Sequence, residues 1–111
     1  MKLYLDTSDQ NNCILKLDDK TYEWEANKEL AEKLLKFIKD KLEENGKTWQ
    51  DLSEITFFAG PGSFTGLRIG AAIVNTLASE LNIPLYDQTG KQHQIIIPNY
   101  GKPANIGTPK K

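Results

Sequence analysis

Hydrophobic and polar residues alternate in three short segments near the start of the chain. Leu3 and Leu5 share one side of the first segment, and the same alternation runs through residues 13–17 and 21–25. A period of two places apolar side chains on one face of a strand. Residues 9–12 and 18–20 are rich in Asp and Asn, which favour tight turns. The pattern predicts three consecutive strands joined by turns.

Two longer segments repeat their apolar residues every three or four positions, as amphipathic helices do. The first runs from about residue 27 to residue 45, and Asn27 is its expected N-terminal cap. The second runs from Thr65 to about residue 81 and is followed by the helix-stopping Pro84. Within the second helix, we expect the large apolar side chains to face the core, namely Ile73, Leu77 and Leu81.

Short apolar runs at residues 55–59 and 83–87 flank the second helix and predict two further strands. The expected order is therefore β-β-β-α-β-α-β. Strand-helix-strand passages require right-handed crossovers and parallel pairing. We expect an α/β fold with a mixed sheet, antiparallel at the start of the chain and parallel later.

The pattern weakens after residue 90, which suggests one lobe over residues 1–90 and a separate short segment over 91–111. Ile95–Ile97 is a candidate for one short strand. The residues after it are rich in Pro, Gly, Asn and Lys, which is typical of an extended tail. The tail is basic and could contact RNA phosphates or simply increase solubility, through Lys102, Lys110 and Lys111.

Composition argues against several classes of function. The 111 residues carry a formal net charge of −1, so bulk charge does not favour nucleic-acid binding. The only cysteine, Cys13, and the only histidine, His93, provide too few ligands for a zinc site. No segment has the pattern of a signal peptide or a membrane span. We expect a cytoplasmic protein without a metal site or catalytic residues of its own.

Residues 60–66 form a glycine-rich turn between the fourth strand and the second helix. Backbone N–H groups at a helix N-terminus can bind an anion, but the lysine of a Walker A loop is missing, because Leu67 and Arg68 follow Gly66. The alternative is a tight turn that needs glycine for its backbone conformation. The candidate residues for either role are Asp6, Thr7, Gly60, Gly62, Ser63 and Thr65.

The second helix carries a flank of small residues. Gly66, Gly70 and Val74 lie four residues apart, with Leu67 and Ala71 beside them. Each helical glycine costs about 1 kcal/mol relative to alanine, so close approach of another element should offset that cost. That element could be the chain's own sheet or a partner. Arg68, in the first turn, could meet a partner's carboxylate or phosphate, or it could be solvated.

Two segments resemble the TsaB (YeaZ) family of tRNA threonylcarbamoyladenosine biosynthesis proteins. Residues 60–70 read GPGSFTGLRIG, and residues 3–8 read LYLDTS at the expected first strand. The resemblance covers roughly residues 1–90 and implies a single actin-like (ASKHA, ribonuclease H-like) lobe. Members of this family usually continue into a second domain of comparable size, so the chain resembles a shortened form.

The resemblance implies a non-catalytic subunit that binds a TsaD-like paralogue through the two helices. ATP and a divalent metal would lie on that partner, and this chain would bind no cofactor itself. A TsaE-like ATPase is a possible further partner, and tRNA would be contacted indirectly. The implied partner interface consists of Gly66, Leu67, Arg68, Gly70, Ala71 and Val74.

Two other functions fit the same residues. The helices could associate across a two-fold axis, which would make the chain a homodimeric interaction module. Alternatively, Asp6 and the turn from Gly60 to Gly66 could form a residual nucleotide-binding lobe.

Overall fold

A computed structural model describes residues 1–99 and contains the strand and helix order that the sequence predicts, followed by one additional strand. A 3₁₀ turn, Trp49–Asp51, precedes the fourth strand. The elements are β1 (Lys2–Asp6), β2 (Asn12–Leu17), β3 (Lys20–Glu25), α1 (Leu30–Glu44), β4 (Glu54–Phe57), α2 (Phe64–Leu81), β5 (Leu85–Asp87) and β6 (Gln92–His93).

The strands form one six-stranded sheet in the order β3-β2-β1-β4-β5-β6. The first three strands pair antiparallel, whereas β1, β4 and β5 pair parallel. Leu5 of β1 lies opposite Leu15 of β2 on one side and Phe57 of β4 on the other. The predicted mixed sheet is confirmed, and β6 extends it by pairing antiparallel with β5.

The core lies between the sheet and the two helices, which both pack on one face of the sheet. Alternate residues of β1, β2 and β4 point into this core, as the period of two requires. Within residues 1–99, neither helix has the length and apolar character needed to cross a membrane. The largest fully buried side chains are Phe57, Leu3, Leu5, Leu15, Leu17, Leu30, Leu34, Ile38, Leu42, Ile55, Leu67 and Leu85.

Helix α1 begins three residues after the cap that the sequence suggests. Asn27 and Lys28 both have positive φ values, 45° and 75°, and they form a tight turn that the Glu29 N–H closes on the Ala26 carbonyl at 2.9 Å. The expected capping role of Asn27 is therefore wrong, because its backbone is left-handed and the helix starts only at Leu30.

Helix α2 turns its small side chains toward the sheet. Leu67, Ala71, Val74 and Ala78 are buried, together with two glycines, whereas the large side chains on the neighbouring flank are half-buried. The expectation that Ile73, Leu77 and Leu81 face the core is therefore corrected. A small-residue face lets the helix axis approach the strands closely, and the large side chains then pack along the side of the core.

The strand expected at Ile95–Ile97 lies instead at Gln92–His93. The backbone of Ile96 is held by a helix side chain, because Asn75 accepts from its N–H at 2.8 Å and donates to its carbonyl at 3.1 Å. These groups would otherwise need a neighbouring strand. The proposed basic tail, with Lys102, Lys110 and Lys111, lies outside the described residues.

Candidate functional site

The predicted turn residues meet at one edge of the sheet, where β1 and β4 both end. The Ser63 N–H donates to the Ser8 carbonyl at 2.7 Å, which joins the β4–α2 loop to the β1–β2 turn. A Cβ added to Gly62 would lie 2.5 Å from the Ser8 Cβ, so only glycine fits there. Gly60 has φ +117° and precedes a cis peptide bond to Pro61. The structure thus brings this candidate set together: Asp6, Thr7, Gly60, Gly62, Ser63 and Thr65.

Hydrogen bonds at this edge support the turn interpretation. Asp6 Oδ1 accepts from the Ser8 N–H at 2.8 Å and from the Ser8 hydroxyl at 2.6 Å, which is the geometry of an Asx turn. Ser63 Oγ accepts from the Gly66 N–H at 3.1 Å and caps α2. The N–H groups of Ser63 and Gly66, which a phosphate cradle would need, therefore already have intramolecular acceptors.

The two helical glycines are required by the chain's own sheet. A Cβ on Gly66 would lie 2.1 Å from the Thr7 carbonyl oxygen. One on Gly70 would lie 2.2 Å from Thr7 Oγ1 and 2.6 Å from Phe57 Cε1. The Thr7 hydroxyl donates to the Gly66 carbonyl at 2.7 Å and is fully buried. The close approach that offsets the low helix propensity of glycine is thus intramolecular.

This packing corrects the expectation that the small-residue flank of α2 is open to a partner. The flank is buried against Thr7, which follows β1, and against Phe57 of β4, because its lack of bulk is what allows the helix to approach them. The residues affected are Gly66, Leu67, Gly70, Ala71 and Val74. Arg68 is exposed, and its guanidinium carbon lies 5.2 Å from the centre of the Phe64 ring. Its role at an interface remains a prediction.

A different strip of the two helices is accessible. Leu35 of α1 is 47% exposed, and Ala72 of α2 is also exposed. Ile69 and Ile73 of α2 are half-buried, and Ile69 lines one pocket together with Leu30 and Ala31 of α1. We call this strip the two-helix surface, and it consists of Ala31, Leu35, Thr65, Ile69, Ala72 and Ile73. The interface residues expected from the sequence lie on the buried flank of α2, whereas the accessible strip includes Ile69 and Ile73, which lie four residues apart.

A pocket of about 270 Å³ opens at the end of the two-helix surface where both helices begin. Its walls are mainly apolar and come from both helices, from the turn before α1 and from the β1–β2 turn. The lining residues are Gln10, Lys28, Leu30, Ala31, Thr65 and Ile69.

A second groove lies on the other side of α2, next to β5 and β6, and His93 is among its lining residues. Asp87 Oδ2 lies 2.8 Å from His93 Nε2, and Asp87 Oδ1 accepts from the Thr89 hydroxyl. The bond from Thr89 contributes most and the bond from His93 next, and together they hold the pKa of the Asp87 carboxyl well below its usual range.

Within the described part of the chain, the remaining candidate groups offer no metal site. Burial raises the pKa of the Cys13 thiol to about 12, with a smaller contribution from the charge of Asp6. Across residues 1–99, no cluster of three His, Cys, Asp or Glu side chains could hold a metal ion.

The chain is similar in sequence to proteins of tRNA threonylcarbamoyladenosine synthesis. Residues 24–87 match the family model described as TsaD: tRNA N6-adenosine threonylcarbamoyltransferase. The chain is 41% identical to the tRNA threonylcarbamoyladenosine biosynthesis protein TsaB of Buchnera aphidicola over 61 residues, which are 55% of this chain and 29% of that protein. It is 34% identical to TsaB of Haemophilus influenzae over 86 residues, which are 75% of this chain and 36% of that protein.

The fold has a counterpart among solved structures. YeaZ from Pseudomonas aeruginosa superposes with a TM-score of 0.68 at 32% identity, over 78% of this chain and 42% of that one. The likeness confirms the expected actin-like, ribonuclease H-like α/β lobe. The chain spans roughly a third or less of the curated relatives described above, 29% and 36% of their lengths.

Proposed function

The chain belongs to the TsaD family and is a TsaB/YeaZ-like protein within it, and from this premise we propose that it acts in the synthesis of threonylcarbamoyladenosine in tRNA. The proposal is supported by the match over residues 24–87, which includes both helices and the glycine turn.

We propose that its role is that of a non-catalytic subunit. The residues that could carry chemistry are engaged in structure: Asp6 closes a turn on Ser8, and the Thr7 hydroxyl is committed to Gly66. Cys13 is buried, and its raised pKa keeps the thiol protonated near neutral pH. On this proposal, ATP and a divalent metal bind to the partner.

The proposed partner is a TsaD-like paralogue, and the observation that carries this proposal is the two-helix surface. It is uncharged, partly apolar and formed by both helices, as the centre of a protein interface is. The partner would have an active and an inactive conformation. Docking would favour the active conformation if this chain makes better contacts with it than with the inactive one. A TsaE-like ATPase would join the assembly and tRNA would be contacted indirectly, both through the paralogue.

Matched charge insertions test this interface. Ala72→Glu places a carboxylate on the two-helix surface, and Ser79→Glu places one at an exposed position of the same helix outside that surface. In calorimetric titrations with the TsaD-like paralogue of the same organism, we expect Ala72→Glu to weaken binding at least tenfold. Ser79→Glu should stay within twofold of the unmodified chain. Equal affinities for both variants, at unchanged circular dichroism, would contradict the proposed surface.

Self-association is the second candidate, because an uncharged surface can also pack against its own copy. Light scattering on the chain alone measures it. A dimer that the paralogue does not dissociate would favour a homodimeric module over the proposed subunit.

A further inference from the structure

We infer that the pocket between the beginnings of α1 and α2 receives one large apolar side chain of the partner, next to a partner carboxylate that pairs with Lys28. The inference rests on the proposed function, because it assigns a specific anchor point to the same interface. It concerns Lys28 and Ala31, to which the sequence assigned no role.

The pocket has the size and lining for a single side chain. Its volume of about 270 Å³ is below that of the clefts that hold drug-sized ligands. Leu30, Ala31 and Ile69 contribute apolar walls, and the pocket is continuous with the two-helix surface through Ala31, Thr65 and Ile69. Large apolar side chains that fill such pockets carry most of the binding energy of many interfaces.

Lys28 provides the charge that selects the partner. It is exposed, and none of the ion pairs within residues 1–99 includes it, whereas the adjacent Glu29 pairs with Lys33 at 3.3 Å. The side chain therefore brings an ammonium group to a pocket whose walls are mainly apolar. A carboxylate beside the apolar anchor satisfies that charge, and a basic segment would be repelled.

The backbone conformation at this position disfavours lysine, so the turn itself does not account for this side chain. Lys28 has φ +75°, a conformation that glycine or asparagine adopts more readily than lysine. The preceding residue, Asn27, is already well suited to its φ of +45°. Such strained positions cluster at sites of recognition. A glycine at position 28 would fit the turn better but would leave the pocket without its cation.

Stability and binding should respond differently to changes at positions 27 and 28. Lys28→Gly relieves a left-handed position that lysine adopts reluctantly and should raise the melting temperature, whereas Asn27→Gly, at a position that asparagine already suits, should not raise it. Only Lys28→Gly should weaken binding to the TsaD-like paralogue, by about fivefold or more at low salt, and it should reduce the salt dependence of binding. Lys28→Arg keeps the charge and should bind within twofold of the unmodified chain. Ala31→Leu fills the pocket and should weaken binding at least tenfold.

A zero-length carbodiimide crosslink identifies the partner group directly. In the complex with the paralogue, we expect mass spectrometry to find Lys28 joined to a partner Asp or Glu that neighbours a large apolar residue, and to find no such product with Lys28→Arg. If Ala72→Glu abolishes binding while Lys28→Gly and Ala31→Leu bind normally, the anchor point is wrong and the proposed function stands. If the unmodified chain does not bind the paralogue, both proposals are overturned.

Discussion

Thr7 donates its hydroxyl hydrogen to the carbonyl oxygen of Gly66 over 2.7 Å, and this bond joins the end of β1 to the first turn of α2. The same hydroxyl occupies the space in which a side chain on Gly70 would lie. Thr7 therefore restricts both helical glycines, Gly66 through its carbonyl oxygen and Gly70 through its hydroxyl. The small-residue flank of α2 packs within the chain, and the neighbouring flank with Ile69 and Ile73 is only half-buried.

Gly70→Ala should destabilise the fold even though alanine favours helices. The new Cβ would lie 2.2 Å from Thr7 Oγ1 and 2.6 Å from the Phe57 ring, and the overpacking should cost about 2 kcal/mol net. Urea unfolding measures this loss. Ala72→Leu, at an exposed position of the same helix, should change the free energy of unfolding by less than about 0.5 kcal/mol. A Gly70→Ala variant as stable as the unmodified chain would refute the steric explanation.

Thr7 and Gly70 should be energetically coupled. Thr7→Ala removes the hydroxyl that crowds position 70, so the Thr7→Ala, Gly70→Ala double variant should lose less stability than the sum of the two single changes. The interaction free energy should be about 1 kcal/mol in a double-mutant cycle from urea unfolding. Strict additivity would show that the Phe57 ring alone causes the clash.

Asn75→Ala should loosen the segment that follows β6. The variant leaves the Ile96 N–H and carbonyl without the side chain that satisfies both, which should cost about 1–2 kcal/mol. Hydrogen exchange of the Ile96 amide should accelerate at least tenfold. Amides in β1 and β2 should accelerate only as much as the measured loss in the free energy of unfolding predicts. Thr76→Ala, at the next and exposed position, is the control and should leave the Ile96 amide protected.

Cys13 should be inert to thiol reagents in the folded protein. The side chain is fully buried, and burial raises its pKa from 9.0 to about 12. A disulfide reagent at pH 8 should therefore label the chain only after addition of denaturant. Because the unfolded chain ionises this thiol at lower pH than the folded chain, the free energy of unfolding should fall as the pH rises from 9 to 12. Cys13→Ala should show a shallower decline.

Asp87 should contribute to stability at neutral pH and lose that contribution in acid. Its folded-state pKa is lowered by the bonds from Thr89 and His93, so the contribution is present above its usual pKa of 3.8 and is lost as the pH falls toward the folded-state value. Asp87→Asn should be less stable than the unmodified chain at pH 6. The difference between the two free energies of unfolding should shrink progressively as the pH falls below 3.8. A constant difference between them at every pH would assign the effect of the substitution to something other than this carboxylate.

The sequence by itself determined the order of the elements through β5, the antiparallel start and parallel continuation of the sheet, and the position of the glycine turn. These follow from short-range patterns: alternation in β1 to β3, a helical period in α1 and α2, and turn residues between them. The family resemblance rested on contiguous residues and was equally readable, and the similarity to TsaB and YeaZ proteins bears it out.

Only the tertiary structure decided which flank of α2 is buried. The helix has two stripes at four-residue spacing, one small (Gly66, Gly70, Val74) and one large (Ile69, Ile73, Leu77), and size alone favoured the large one for the core. The position of Thr7 and Phe57 reverses that choice, because their atoms fill the space beneath the helix. The sequence pattern also did not predict the left-handed turn at Asn27 or the hydrogen bonds between Asn75 and the backbone of Ile96. Burial depends on which atoms distant parts of the chain bring together, and a local period carries no information about them.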